Sequence, residues 1–352
     1  MLPVAIPLTS PDPEATALPE RPLALFAMST KTLPSVYPPD VLDRLRTSVE
    51  VDPSLIAEDF RDPRVRSVLG RAEILLTGWG CPPVDAAVLD AAPRLRAVLH
   101  AAGSVKGIMA PGWWKRGLVV SSAADANALP VAEYTLGMII LAGKDLFAAR
   151  ERYRSLRTFP LAEILPGIGN FGRRVGIVGA SRIGRRVIEL LRPLDFEVFL
   201  ADPYVGEDEA AALGVRLLPL DALLRRSDIV SIHAPATAET HHMIGRRELA
   251  LMPDGAVLIN TARGSLVDHD ALVEEVRGAR VSAVLDVTEP EPLPADSPLF
   301  ELSGAFITPH LAGSQGNEVR RLGLSAVGEL ERLLAGVPLS HQVDPAGLEH
   351  AA

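Results

Sequence analysis

The chain has 352 residues, 48% hydrophobic and 22% charged, an ordinary globular composition with length enough for two domains of usual size. A net charge of −9 argues against a nucleic-acid-binding surface, which needs a basic patch. The single cysteine, Cys81, excludes an intramolecular disulfide and fits a reducing cytoplasm.

Residues 1–20 are rich in proline and lack the basic start and apolar core of a signal peptide, so they read as a loose leader. The fold is expected to begin at strand Leu23–Ala27. Helix Pro39–Arg46, strand Ala72–Thr77, helix Val84–Ala91 and strand Ala97–His100 follow. Next come the loop Ala101–Gly107 and strand Val119–Ser121. This alternation favours a parallel sheet with helices on both faces. A long helix, about Pro130–Arg150, has more apolar surface than one stripe and should be covered on more than one side. Its most apolar part, roughly Val131–Ala142, is short for a membrane span and contains Glu133, so no span is expected. Arg152–Gly172 has no clear period and reads as an arm or long loop. Cys81 lies in the turn Trp79-Gly80-Cys81-Pro82-Pro83 and reads as a small packed residue.

A second αβ series starts at strand Val175–Val178 and helix Arg182–Leu194. It continues through strand Glu197–Leu200, helix Leu220–Arg226, strand Ile229–Ile232, helix Arg246–Leu251 and strand Ala256–Ile259. Helix Asp268–Val276 and strands Val281–Leu285 and Ala305–Ile307 complete it, and a helix at about Asn317–Leu334 precedes a polar tail. Gly179-Ala180-Ser181-Arg182-Ile183-Gly184 follows an apolar strand and opens an amphipathic helix, the setting in which a glycine fingerprint signifies dinucleotide binding. Gly179 would make the tight turn and Gly184 the close helix–strand approach. The first-turn N–H groups would meet a pyrophosphate. Ser181 stands where a third glycine is usual. Its Cβ could crowd the pyrophosphate, or its hydroxyl could bond a phosphate oxygen. Asp202, at the end of the next strand, suits the adenosine ribose hydroxyls and would repel a 2′-phosphate. Pro203-Tyr204 adds no arginine, so NAD is favoured over NADP.

Three segments then deliver polar side chains from strand ends: Asn260-Thr261-Ala262-Arg263-Gly264, Asp286-Val287-Thr288-Glu289-Pro290-Glu291-Pro292 and Thr308-Pro309-His310. Arginine is always charged and forked, so Arg263 can hold a carboxylate and a keto oxygen together. His310 has an imidazole that titrates near neutrality and can give or take a proton. A carboxylate beside it would hold the ring, and by sequence alone Glu289 and Glu291 compete for that place. No metal site is expected, because the histidines lack carboxylate or cysteine partners at ligand spacing. His241-His242 and His269 read as helix-start or surface residues, and Trp113-Trp114 as packing behind the first domain.

Taken with Val175–Gly179 and His233-Ala234-Pro235-Ala236-Thr237, these ordered motifs resemble those of the D-isomer-specific 2-hydroxyacid dehydrogenases over roughly residues 22–335. The resemblance implies hydride exchange between NAD and C2 of a small 2-hydroxy or 2-oxo acid, with Arg263, Glu291 and His310 as the catalytic set; it selects Glu291 over Glu289. It implies cofactor contacts from the fingerprint residues Gly179, Ser181, Arg182, Ile183 and Gly184, from Asp202, and from His233, Pro235 and Thr237. Thr261 and Ala262 would lie against the nicotinamide, Asp286 would bond its carboxamide, and Arg263 and His310 would flank it. It places a substrate carboxylate on the loop Gly103-Ser104-Val105-Lys106, where Lys106 departs from the usual aspartate. Asn127 matches the hinge.

The expected fold is α/β, with two Rossmann-like parallel-sheet domains. One is a discontinuous flavodoxin-like substrate domain of residues 1–126 and 311–352. The other is an NAD-binding domain of residues 127–310, and the site lies in the cleft between them. A homodimer is expected through the long helix, with no membrane or nucleic-acid partner. The alternative is a non-enzymatic NADH-sensing interaction protein on the same fold, as in the family's corepressor branch.

Overall fold

A computed structural model describes residues 21–158 and 168–345; the expected leader, the middle of the expected arm and the end of the tail lie outside the described residues. Four strands, β1 (Ala24–Ala27), β2 (Ile74–Thr77), β3 (Ala97–His100) and β4 (Val119–Ser122), form one parallel sheet in that order. Parallel bridges Leu23–Glu50 and Phe26–Ile56 lay residues 50–56 along the free edge of β1. The order is therefore flavodoxin-like. Every residue of β1, β2 and β3 is buried, as an apolar run covered on both faces requires. Side chains alternate between two cores. Phe26, Leu76 and Leu99 pack with Val41, Leu45 and Leu322, while Leu25, Leu75 and Val98 pack with Val65, Val88 and Trp113.

Seven strands form the second sheet: β5 (Arg173–Val178), β6 (Phe196–Ala201), β7 (Arg216–Leu217), β8 (Ile229–Ile232), β9 (Ala256–Asn260), β10 (Val281–Leu285) and β11 (Ala305–Ile307). Their order is β11-β10-β9-β8-β5-β6-β7, and all pairings are parallel. Strand order reverses between β5 and β8, so the loops after these strands flank the crevice where such sheets bind ligands. The C-terminal segment returns to the first sheet. Helix Val319–Leu334 buries Leu322, Val327 and Leu330 there. Beyond it, Val343 N donates to Val120 O at 2.8 Å and Ser122 N to His341 O at 3.2 Å. Buried Glu329 fixes that turn by accepting from Ser340 N and His341 N.

The long helix differs from its expected bounds. It runs Ala124–Gly143, through Pro130, and a second helix, Leu146–Leu156, follows. Tertiary bonds end the first helix. Gly169 N reaches Gly143 O at 2.8 Å and Asn170 Nδ2 reaches Ile140 O at 3.1 Å, taking its last carbonyls, and Asp145 turns the chain at φ 50°. Part of the expected arm, Arg152–Leu156, is thus helical. At 20 residues the first helix is long and apolar enough to cross a membrane, but Ala132, Thr135 and Ile139 are fully buried in the fold, as in a core helix. The short helices Leu33–Val36, Pro63–Leu69 and Glu207–Leu213 carried no expectation.

Candidate active site

The fingerprint forms the turn between β5 and helix Arg182–Leu191. Gly179 has φ +97°, and a Cβ there would come within 2.6 Å of Ala234 N; a Cβ on Gly184 would come within 2.1 Å of Gly179 O. Only glycine lets the turn seat against the His233-Ala234 loop. Ser181 is the N-cap: its hydroxyl accepts from Gly184 N at 3.3 Å with φ −63°, so its Cβ is unstrained and its oxygen serves the helix. Asp202 reaches back to the same turn, accepting from Ala180 N at 2.7 Å and from Tyr204 N at 2.8 Å. It braces the turn, and it does not line the central cleft. Gly179, Gly184, His233, Pro235 and Thr237 likewise are not part of its wall. Thr240 shapes the last of these loops, bonding Pro235 O and Thr237 N.

The cleft encloses about 430 Å³. On the side of the second sheet its wall includes Ser181, Arg182, Ile183, Thr261, Arg263 and His310. The first-turn N–H groups of the helix at Arg182 and Ile183 suit an anionic pyrophosphate. Arg182 is ion-paired to Asp125 across the cleft at 2.5 Å. Thr261 Oγ1 lies 3.0 Å from Thr135 Oγ1, pinning its loop to the long helix. Asn260, fully buried, shapes the next turn: Oδ1 accepts from Ala262 N at 3.0 Å and Nδ2 donates to Arg263 O at 2.8 Å. Arg263 then projects at an exposed position, with Nη1 donating to Ala262 O.

Glu291 Oε1 lies 2.5 Å from His310 Nδ1, and Glu291 faces a neighbouring pocket behind the ring, away from the cleft. Both side chains are about half exposed, so the pair orients more than it stabilises. Glu289 is engaged elsewhere, its Oε2 lying 3.1 Å from His242 Nε2 and 3.6 Å from His241 Nε2. The two glutamates left open by spacing are thus separated by partner. The histidines also find a carboxylate that sequence spacing did not reveal, from a distant loop, and the trio has ligand chemistry although all three are exposed.

His310 itself sits at φ +51°, in the left-handed region that costs a non-glycine residue roughly 1–2 kcal/mol. Asp286, 2% exposed, holds the backbone there. Its Oδ1 accepts from Thr308 Oγ1 at 2.6 Å and Leu311 N at 2.9 Å, and its Oδ2 from Ala312 N at 2.9 Å. Most of its acceptor capacity serves the His310 loop, where a carboxamide contact was expected. Tyr134 extends the set by donating to Thr308 Oγ1.

On the first-sheet side the wall includes Trp79, His100, Ala102, Gly103 and Ser104. Val105 points into the core at 2% exposed, and Lys106 is exposed and outside the lining. Trp79 and His100 had no expected role, since nothing in their local sequence marks them. Trp113 is core and Trp114 is exposed; neither lines the cleft. Asn127 lies between the two sides: its Oδ1 accepts from Ser314 N at 3.0 Å.

Two buried histidines are held neutral. Burial pushes the His100 imidazole down to about 4 and that of His233 to about 3, with Thr77 Oγ1 2.9 Å from His100 Nδ1 and Ser231 Oγ 2.9 Å from His233 Nε2. In the unfolded chain both bind protons near 6.5, so below that pH the unfolded state gains protons the folded state refuses. The stability of the neutral forms is complete above pH 6.5 and is lost as pH falls through about 4, by up to about 3 kcal/mol for His100. Urea midpoints measured from pH 7 to 4 should fall, and His100→Gln should flatten the slope; parallel slopes for wild type and variant would contradict this.

Comparison with known proteins gives three findings. Residues 136–312 match the family description "D-isomer specific 2-hydroxyacid dehydrogenase, NAD binding domain". The chain is 37% identical over 269 residues to D-3-phosphoglycerate dehydrogenase of Mycobacterium bovis, covering 75% of this chain and 50% of that one, so it spans about half that relative's length. It is 31% identical to glyoxylate reductase of Aeropyrum pernix, over 85% of this chain and 90% of that one. Among solved structures, D-lactate dehydrogenase from Aquifex aeolicus, complexed with NAD and lactic acid, superposes with a TM-score of 0.67 at 28% identity, over 89% of this chain and 96% of that one.

Proposed function

The chain belongs to the D-isomer-specific 2-hydroxyacid dehydrogenase family, with that family's NAD-binding domain at residues 136–312, and from this we propose that it is an NAD-dependent 2-oxo acid reductase. The observation that carries the reading is one cleft lined by a glycine-fingerprint helix start, an arginine and a histidine backed by a carboxylate. The residues fit the cofactor: the Gly179–Gly184 turn and first helical turn would take the pyrophosphate, and Thr261 would lie toward the nicotinamide. The bound nicotinamide supplies or accepts a hydride. Asp202 beside Ala180 N disfavours a 2′-phosphate and supports NAD over NADP.

The protein's own groups do the rest. Arg263 grips the substrate carboxylate and polarises the keto oxygen. Gly103 and Ser104 close on the carboxylate from the opposite wall. His310 carries its reactive proton on Nε2, because Nδ1–H is given to Glu291, and Nε2 delivers that proton to the developing alkoxide. Glu291 stabilises the imidazolium that donates it. Asn260 and Asp286 position these groups, and Asp286 also lines the cleft.

We place the domain boundaries near residues 126–127 and 310–311, where the Asn127–Ser314 bond joins the two crossings, and closure there would exclude water. We place the dimer contact on helix Leu146–Leu156 and residues 168–171, where Leu146, Tyr153, Leu156, Ile168 and Phe171 are exposed, the last at 91%. The lone Cys81, partly buried with its thiol pushed up to about 12 by burial, is an inert packed residue and suits the cytoplasm.

Oxidation of NADH and NADPH by the purified chain, followed at 340 nm with a panel of 2-oxo acids, tests the function. At least one acid should be reduced, with NADH preferred by tenfold or more in kcat/KM. Tight NADH binding with no turnover on any acid would replace the reading with the NADH-sensing one.

A further inference from the structure

The cleft's two walls differ in charge. Two permanently cationic side chains, Arg182 and Arg263, line it with the His310 imidazole and the Asp286 carboxylate, and all come from the second sheet's loops. Arg182 is held by Asp125 at the start of the fingerprint helix. Under the reductase reading, Arg263 and His310 are committed to the carboxylate and the keto oxygen. The opposite wall, from the loops after β2 and β3, presents Trp79, His100, Ala102, Gly103 and Ser104. None of these is a permanent cation. His100 is 3% exposed and held neutral, and Lys106, the cation of this loop, lies outside the lining. Ala124, Ala128 and Val131 of the long helix extend the apolar lining beside them. The indole of Trp79 remains 39% exposed, an aromatic face left for something to cover.

A phosphate dianion entering such a wall would leave water with no counter-charge, a severe penalty. An apolar or aromatic side chain entering it would cover Trp79 and displace loosely held water. We propose that this cleft selects 2-oxo acids whose side chain is uncharged and bulky over those bearing a phosphate, with Trp79 and His100 as the specificity-determining residues. The selection rests on the reductase reading and deepens it. It also separates this chain from the D-3-phosphoglycerate dehydrogenase it resembles at 37% identity.

The test uses the full chain with NADH and three acids: phenylpyruvate, 4-methyl-2-oxopentanoate and 3-phosphohydroxypyruvate. The expected kcat/KM for the better uncharged acid exceeds that for the phosphorylated one by about 100-fold or more, in the range that pocket complementarity supplies. Trp79→Ala should raise KM for phenylpyruvate about tenfold with a smaller change in kcat, since the indole binds ground and transition states alike. His100→Arg, where it folds, should narrow the preference by raising kcat/KM for the phosphorylated acid. A phosphorylated acid turned over as well as or better than the uncharged ones by the wild-type chain overturns the selectivity while leaving the reductase reading standing. No turnover of any of the three, or of smaller 2-oxo acids, overturns the reductase reading and the selectivity with it.

Discussion

Arg263→Ala should lower kcat/KM for 2-oxo acids by about two to four orders of magnitude and leave NADH affinity within a few-fold. Each hydrogen bond to a charged group contributes about 1.5–3 kcal/mol, and a forked guanidinium can make two to one carboxylate. At 1.4 kcal/mol per tenfold, their loss gives that range. The fold should be indifferent, because Arg263 is exposed and its turn is shaped by Asn260, whose bonds go to the backbone of residues 262 and 263. Arg263→Lys should recover only part of the loss, since an ammonium restores charge without the fork. Fluorescence titration of NADH separates the two roles: a variant that loses turnover and NADH binding together would show that Arg263 holds the cofactor, and unimpaired turnover would remove it from the mechanism.

His310→Asn is the second large effect, about two to four orders of magnitude in kcat, the usual contribution of a placed acid–base group. Asparagine is the informative replacement because residue 310 sits at φ +51°, a conformation asparagine tolerates better than most. The Asp286 bonds to Thr308, Leu311 and Ala312 should survive, so a loss would be chemical rather than conformational. The limb of the pH–rate profile that reports the donor should vanish. Glu291→Gln should cost less and shift that limb, because the ring N–H keeps an acceptor in the amide oxygen and loses its counter-charge. An unchanged profile in His310→Asn would mean that another group carries the proton.

Much of this was legible in the chain because the information is local. Strands β8, β10 and β11 match their expected bounds residue for residue, since apolar runs of three to five residues between turn signals leave little else to form. The fingerprint, Arg263 and His310 could be read because each follows such a strand directly, and strand ends in a parallel sheet point to one edge. What could not be read depends on distant partners. The break after Gly143 comes from Gly169 and Asn170, and Glu289 is paired with histidines on another loop. Trp79 and His100 reach the cleft because β2 and β3 are neighbours, a fact of sheet order that no spacing encodes. Ser181 is a different case. A serine opening an amphipathic helix is a capping signal in its own right, and the comparison with a glycine pattern obscured it. The bonds from the Asp286 carboxylate to Thr308, Leu311 and Ala312 could not be read either, because they depend on how the residue 308–312 loop folds back over the end of β10.

The central claim, hydride transfer between NAD(H) and C2 of a 2-oxo acid with D-specificity, is tested most directly by the product. The purified chain is incubated with NADH carrying deuterium at both C4 positions and with the best acid of the panel, and the hydroxy acid is resolved on a chiral column and weighed by mass spectrometry. The expected product is a single D-isomer with deuterium at C2. An L-isomer, a racemate, or a product without the label would contradict it.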